Sequence, residues 1–245
     1  MDFLGRVAAW FTTAAHWQGD GGAVHRLSEH VVMSSGAVLV AAAVALPLGV
    51  WLGHTGRGGA LAINLSNVGR AIPSFAILVI AAQLVGIGWK PAFAALVALG
   101  VPPMVTNAYV GLRDVDPDVK DAARGMGMTG AQSLWRVELP VALSPLMAGV
   151  RTAAVQVVAT ATLAALVAWG GLGRFIVDGI AQRDFVQVFA GALLVATLSI
   201  ATELGLAGVQ RLIVPEGLRM RETGKNEPFK ALAVGELAAE ARVNP

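Results

Sequence analysis

The sequence predicts an all-α membrane protein, and three observations carry that expectation. Of its 245 residues, 56% are hydrophobic and only 14% are charged. Soluble domains run at about 45–50% and about 25%. Mean hydropathy is +0.66, and the charges are too few to cover a water-facing surface around so apolar a chain. Lipid as the outer solvent resolves the mismatch. Uncharged stretches recur at the length needed to cross about 30 Å of hydrocarbon, roughly 20 residues. Finally, lysine and arginine fall unequally on the segments between those stretches.

Residues 31–53, 71–89, 91–112 and 152–173 contain no Asp, Glu, Lys or Arg, and 185–210 is interrupted only by Glu203. With the fourth stretch drawn back to about residue 145, the expectation is five spans, over about 31–53, 71–89, 91–112, 145–173 and 185–210. A short Gly-Ile-Gly-Trp-Lys-Pro turn at 86–91 divides the second from the third. Pro47, Pro73, Pro102, Pro103 and Pro145 lie in or at the start of spans. Packed membrane helices tolerate such breaks when neighbours satisfy the freed carbonyls. Abundant small residues allow close helix approach.

Five spans put the termini on opposite sides. One side carries Arg57, the 113–140 loop with Arg113, Lys120, Arg124 and Arg136, and a tail with Arg211, Arg219, Arg221, Lys225 and Lys230. The other carries Arg6, Arg26, Lys90, Arg174 and Arg183. The richer side is expected to be cytoplasmic, which puts the N-terminus outside. Residues 1–27 hold Phe3, Trp10, Phe11 and Trp17, aromatics suited to a membrane–water interface. They form an expected extracytoplasmic interfacial segment that precedes a transmembrane domain over 28–214. Residues 215–245 turn polar and mixed in charge, as in a cytoplasmic tail. Arg6, His16, Asp20, Arg26 and Glu29 interrupt the first thirty residues, so the first span is expected to serve as its own insertion signal.

The 113–140 loop is long enough to hold folded structure. Asp116-Pro117-Asp118 reads as a helix start, with Asp116 as N-cap and Pro117 at the first helical position. Gly125 and Gly127 should stop that helix, and a second stretch over 131–137 runs into Leu139-Pro140. Two short helices about a glycine turn outside the membrane suit a docking element for a cytoplasmic partner. An ordinary solvated loop is the plain alternative.

Asp121-Ala122-Ala123, three residues, Gly127, nine residues, Val137, Glu138 and Leu139-Pro140 resemble the EAA loop of binding-protein-dependent ABC permeases, E-A-A-x3-G-x9-I-x-L-P. Every spacing agrees, with Asp for the usual Glu and Val for the usual Ile. The resemblance extends over roughly 28–215. Gly69-Arg70-Ala71-Ile72-Pro73-Ser74 and Ala123-Arg124-Gly125-Met126-Gly127-Met128 are similar to the branch that imports glycine betaine, carnitine, choline and related osmoprotectants, while Gly170-Gly171-Leu172-Gly173 resembles the wider family alone. What it implies is a five-helix, type I importer-like permease core with a cytoplasmic coupling loop. Asp121, Ala122, Ala123, Gly127, Val137, Leu139 and Pro140 would receive an ATPase. It also implies a second permease subunit, identical or homologous, two ATPase copies and an extracytoplasmic binding protein. Quaternary ammonium recognition uses aromatic cages. With one tyrosine here, substrate affinity is expected to reside in that binding protein.

No G-x-x-x-x-G-K-[ST] phosphate loop occurs, so the chain is expected to hold no cofactor of its own, with ATP bound by a partner. The chain has no cysteine, which removes thiolate ligands and a cysteine nucleophile, and its net charge of +2 gives no reason to expect nucleic acid. His25, His30 and His54 do not share a face, so no metal site is expected, and the histidines read as interfacial. Ser34-Ser35-Gly36 lies in a span without a histidine at matching depth in another, which leaves an intramembrane protease without a base. No catalytic residue is expected. An ion-coupled secondary transporter would need titratable groups near the midplane; only Glu203 qualifies, and it lies toward the cytoplasmic end. Arg151, early in the fourth span, is its expected ion-pair partner, with Arg70 the alternative and interfacial water a third possibility. An ABC permease for amino acids or another small polar solute is the competing substrate reading.

Overall fold

The computed structural model describes residues 2–59, 63, 64, 67, 69 and 71–214, among which every regular element is helical. Arg70 and the tail 215–245 lie outside the described residues. The helices are α1 (Phe3–Thr12), α2 (Ala23–Thr55), α3 (Ser74–Val85), α4 (Trp89–Arg113), α5 (Pro117–Gly125), α6 (Gly130–Ser133), α7 (Leu139–Thr160), α8 (Gly173–Gln182) and α9 (Phe185–Ile213). A π-helical turn, Leu134–Glu138, joins α6 to α7, and a 3₁₀ stretch, Ala161–Val167, extends α7. Gly130–Val167 is therefore one continuous rod. Among the described residues, four helices are long and apolar enough to cross a membrane: α2, α4, this rod and α9.

The second expected span is shorter than the sequence suggested. Helix α3 has 12 residues, about 18 Å at 1.5 Å per residue, well under the hydrocarbon thickness. Pro73 precedes it in extended backbone, ψ 130°, and proline also biases the residue before it away from the helical region. Gly86 (φ 88°) and Gly88 (φ 123°) end it, since neither angle continues a helix. Lys90 and Pro91, expected in a turn, fall in the first turn of α4, where proline's missing N–H costs nothing.

The ends of the other spans also shift. Helix α2 begins at Ala23, so Arg26, Glu29 and His30 lie on the helix itself. The absence of charge marked the hydrocarbon crossing and not the helix end. Pro140 does not interrupt the rod; it lies just after the π turn, where α-helical bonding resumes. The rod stops at Val167, where Ala168 takes φ 61°, so 168–172 is a turn and not the end of a span. Helix α8, which follows, was not expected at all.

Small residues set the packing. Met33, Ala37, Ala41, Ala45, Gly49 and Gly53 are buried along one stripe of α2 at four-residue spacing. A Cβ on Gly49 would lie 2.7 Å from Ala108 Cβ and 2.8 Å from the Val105 carbonyl, and one on Gly53 would lie 2.7 Å from Leu112 Cβ. Lipid supplies no hydrophobic drive between helices, so such close backbone approach is what holds them. The pairing also gives directions. Gly36 faces Phe93, Gly49 faces Val105 and Gly53 faces Tyr109, so α2 and α4 run parallel. Gly111 faces Pro145 and Gly149 faces Pro103, so the rod is antiparallel to α4. Arg151 meets Glu203 while Ser144 meets Gln210, so α9 is antiparallel to the rod.

At the bundle end away from the 113–140 loop, Glu29 and His30 hold the Gly-Gly-Leu-Gly turn. Glu29 Oε2 accepts the Gly171 N–H at 2.8 Å and His30 Nδ1 accepts that of Leu172 at 3.3 Å. His30 Nε2 then donates to the Val158 carbonyl at 2.9 Å, a pair of bonds that assigns the Nε2–H tautomer. The residue is 1% exposed, which corrects the interfacial reading of this histidine. Its two backbone partners are 128 and 142 residues away, beyond the reach of local pattern. Helix α1, capped by Asp2, covers this end with Trp10, which packs with Leu172, Phe175, Ala190 and Val195.

Candidate coupling site

The loop between α4 and the rod is folded throughout. Asp116 Oδ1 accepts the Asp118 N–H at 3.0 Å and Pro117 opens α5. The first-turn donors are thus capped or absent. Helix α5 ends in a reciprocal pair of backbone bonds, Met128 N–H to the Ala123 carbonyl at 3.2 Å and Gly127 N–H to that of Arg124 at 2.9 Å. This closing motif needs a left-handed residue, and Gly127 supplies it at φ 78°. Space is not the constraint, because a Cβ there would meet nothing within 4 Å. Thr129 then caps the rod: its Oγ accepts the Gln132 N–H at 3.3 Å, and Gln132 Oε1 accepts the Thr129 N–H at 2.8 Å.

The expected coupling residues divide by direction. Asp121 and Ala122 are exposed, and Asp121 pairs with Arg124 at 3.2 Å in full solvent contact. Ala123 is 1% exposed and faces the chain's own interior. Leu139 packs against the cluster of Ala108, Leu112, Val115, Ala142 and Leu146. Val137 is partly buried on the π turn, and Pro140 is exposed at the base of α7. Met126 (70% exposed) and Trp135 (72% exposed) add apolar surface on the same loop.

Behind this surface lies a group that the sequence did not single out. Glu138, 3% exposed, places both carboxylate oxygens 3.0 Å from His54 Nδ1. It accepts from Ser133 Oγ at 3.0 Å. Lys120 Nζ lies 3.8 Å from its Oε2 and donates to the Leu112 carbonyl at 2.8 Å. In an α-helix, residues five apart point about 140° away from each other. The π turn brings Ser133 and Glu138 to one side, and its bonding is visible in Leu139 N–H to the Leu134 carbonyl. No sequence signal for the π turn existed; His54 and Glu138 are 84 residues apart.

One further polar ladder joins the rod to α9. Arg151 Nη2 contacts Glu203 Oε1, Arg151 Nη1 donates to Gln210 Oε1 at 2.7 Å, and Gln210 Nε2 donates to Ser144 Oγ at 3.3 Å. Residues 144 and 151, like 203 and 210, are seven apart, two helical turns on one face.

Among the described residues the chain is a helical bundle with four helices long and apolar enough to cross a membrane and a folded loop between two of them. The chain belongs to the binding-protein-dependent transport system inner membrane components, whose family profile matches residues 45–215, and it is the permease subunit of an ABC importer. It is 36% identical to the choline transport system permease protein OpuBB of Bacillus subtilis (strain 168), over 82% of this chain and 94% of that protein. It is 35% identical to the glycine betaine/carnitine/choline transport system permease protein OpuCB of the same organism, over 81% and 92%. The carnitine transport permease protein OpuCB of Listeria monocytogenes is 35% identical over 80% and 90%. Among solved structures, an inward-facing MetNI methionine ABC transporter superposes with a TM-score of 0.69 at 23% identity, over 78% of this chain and 96% of that one. An amino acid ABC transporter with histidines gives 0.63 at 18%, over 86% and 97%. These two share the fold.

Proposed function

We propose that this permease carries osmoprotectants of the quaternary-ammonium class, choline, glycine betaine and carnitine, across the cytoplasmic membrane. The observation that carries the reading is 36% identity over nearly the whole of a choline permease. The amino-acid transporters match in fold at 23% identity or less, which weighs less for substrate. The chain makes five crossings with its N-terminus outside and its C-terminus in the cytoplasm. Support comes from the parallel run of α2 and α4: the chain must return between them, and α3 is the described apolar helix there.

In this reading ATP is bound and hydrolysed by partner ATPases docked on Asp121, Ala122, Met126 and Trp135. A second permease subunit completes the pathway, and an extracytoplasmic binding protein delivers the substrate. Ala123, Val137 and Leu139 support the docking loop from within, Gly127 forms its turn, and Pro140 stands at its base. The Arg151–Glu203 pair fixes α9 to the rod.

Uptake of labelled choline, glycine betaine and methionine tests the substrate reading. The host should lack its own osmoprotectant importers and carry this permease with its ATPase and binding protein. After an osmotic upshift, saturable choline or betaine uptake is expected over a flat methionine baseline. Stimulated methionine uptake with no choline or betaine uptake would transfer the chain to the amino-acid reading.

A further inference from the structure

We propose that Glu138 is a positioning residue for energy coupling, the point at which displacement of the docking helix α5 is handed to the membrane bundle. The inference rests on the reading above that this loop receives an ATPase. It goes beyond the docking surface to a group the loop pattern leaves free, the residue between Val137 and Leu139.

Three elements meet the rod at this one carboxylate. His54 comes from the last turn of α2, Ser133 from α6, Lys120 from α5, and the Lys120 ammonium also grips the Leu112 carbonyl near the end of α4. Lys120 immediately precedes Asp121-Ala122-Ala123, so the link to the docking face is a single peptide bond long. Glu138 is held at its other end by the rod, which continues unbroken to Val167. A carboxylate withdrawn from water to 3% exposure is costly unless its partners are fixed. Holding several donors in one place is what such a group does best. The π turn that creates the arrangement is an uncommon element, frequent at functional sites.

Apart from this link, α5 is held by its caps at Asp116 and Gly127 and by the buried Ala123. With Lys120 bound to Glu138, a push on α5 moves α2, α4 and the rod together. Without that link, ATP hydrolysis continues while the bundle lags.

The test uses the full transporter, permease with its ATPase and binding protein, in proteoliposomes, reading ATP hydrolysed and choline or betaine accumulated in one preparation. Glu138→Gln removes the charge at constant shape, and Lys120→Met cuts the α5 arm together with its bond to the Leu112 carbonyl, at a partly exposed site. Both are expected to keep hydrolysis near wild type while uptake falls about tenfold, the scale of a typical coupling energy. The double variant should be no worse than Glu138→Gln. Lys120→Arg, which restores the cation, should recover most of the uptake. A wild-type ratio of ATP to substrate in Lys120→Met overturns the inference, as does loss of both activities in equal proportion. Failure of the ATPase to co-purify with the unmodified permease would instead sink the docking reading beneath it.

Discussion

Neutralising either member of the Arg151–Glu203 pair is expected to reduce assembled, active permease about tenfold, and neutralising both should restore part of the loss. A lone charge near a helix centre costs about 2.5–3.5 kcal/mol on insertion scales. Here the two side chains are 28% and 39% exposed on the bundle surface, and Arg151 also bonds Gln210, so each charge is met by a partner within the chain. In Glu203→Gln, Arg151 keeps Gln210 but loses its counter-charge. In Arg151→Gln, Glu203 loses its only ion-pair partner among the described residues. The cycle is read as monodisperse protein recovered from detergent and as uptake in cells. Strictly additive losses would show that the two residues act independently, each with its own access to interfacial water.

The second large effect belongs to the docking loop. Gly127→Val is expected to distort the end of α5, because φ 78° costs an ordinary L-residue about 1–2 kcal/mol and a β-branched one more. Ala122→Glu tests the surface itself: Ala122 is exposed, so the chain's own packing is untouched. Both variants should insert at wild-type levels, and both should lose uptake together with ATPase co-purification, by about tenfold. Ala123→Glu is a poorer probe, since Ala123 is 1% exposed and a carboxylate there would disrupt the loop from inside. Normal co-purification and normal uptake in Ala122→Glu would remove this face from the interface.

The particular residues show what a single sequence can disclose. Apolar length located α2, α4, the rod and α9, because lipid imposes one strong constraint on composition. Cap chemistry located α5, since Asp116, Pro117 and Gly127 each have a local backbone reason to be there. The need of Glu203 for a partner was legible from depth alone, and Arg151 lay at the corresponding depth. Glu138 was not legible: its partners come from three other elements, and the π turn that aims it leaves no periodic trace. His30 failed in the same way, since both its bonds are to distant backbone atoms that carry no residue identity. The short α3 was overestimated because hydropathy does not register that Pro73 and Gly86 stop a helix inside an apolar stretch.

In the function proposed above, the loop bearing Asp121-Ala122-Ala123 faces the cytoplasm and is covered by an ATPase there. The chain has no cysteine, so Ala122→Cys and Asp20→Cys each create a single reporter on exposed backbone. Labelling with a membrane-impermeant maleimide is the most direct measurement. The prediction is that Asp20→Cys reacts in intact cells while Ala122→Cys does not. Ala122→Cys should react in inside-out vesicles stripped of the ATPase, and be protected when the ATPase is added back. Reaction of Ala122→Cys in intact cells, or labelling in vesicles that bound ATPase leaves unchanged, would contradict it.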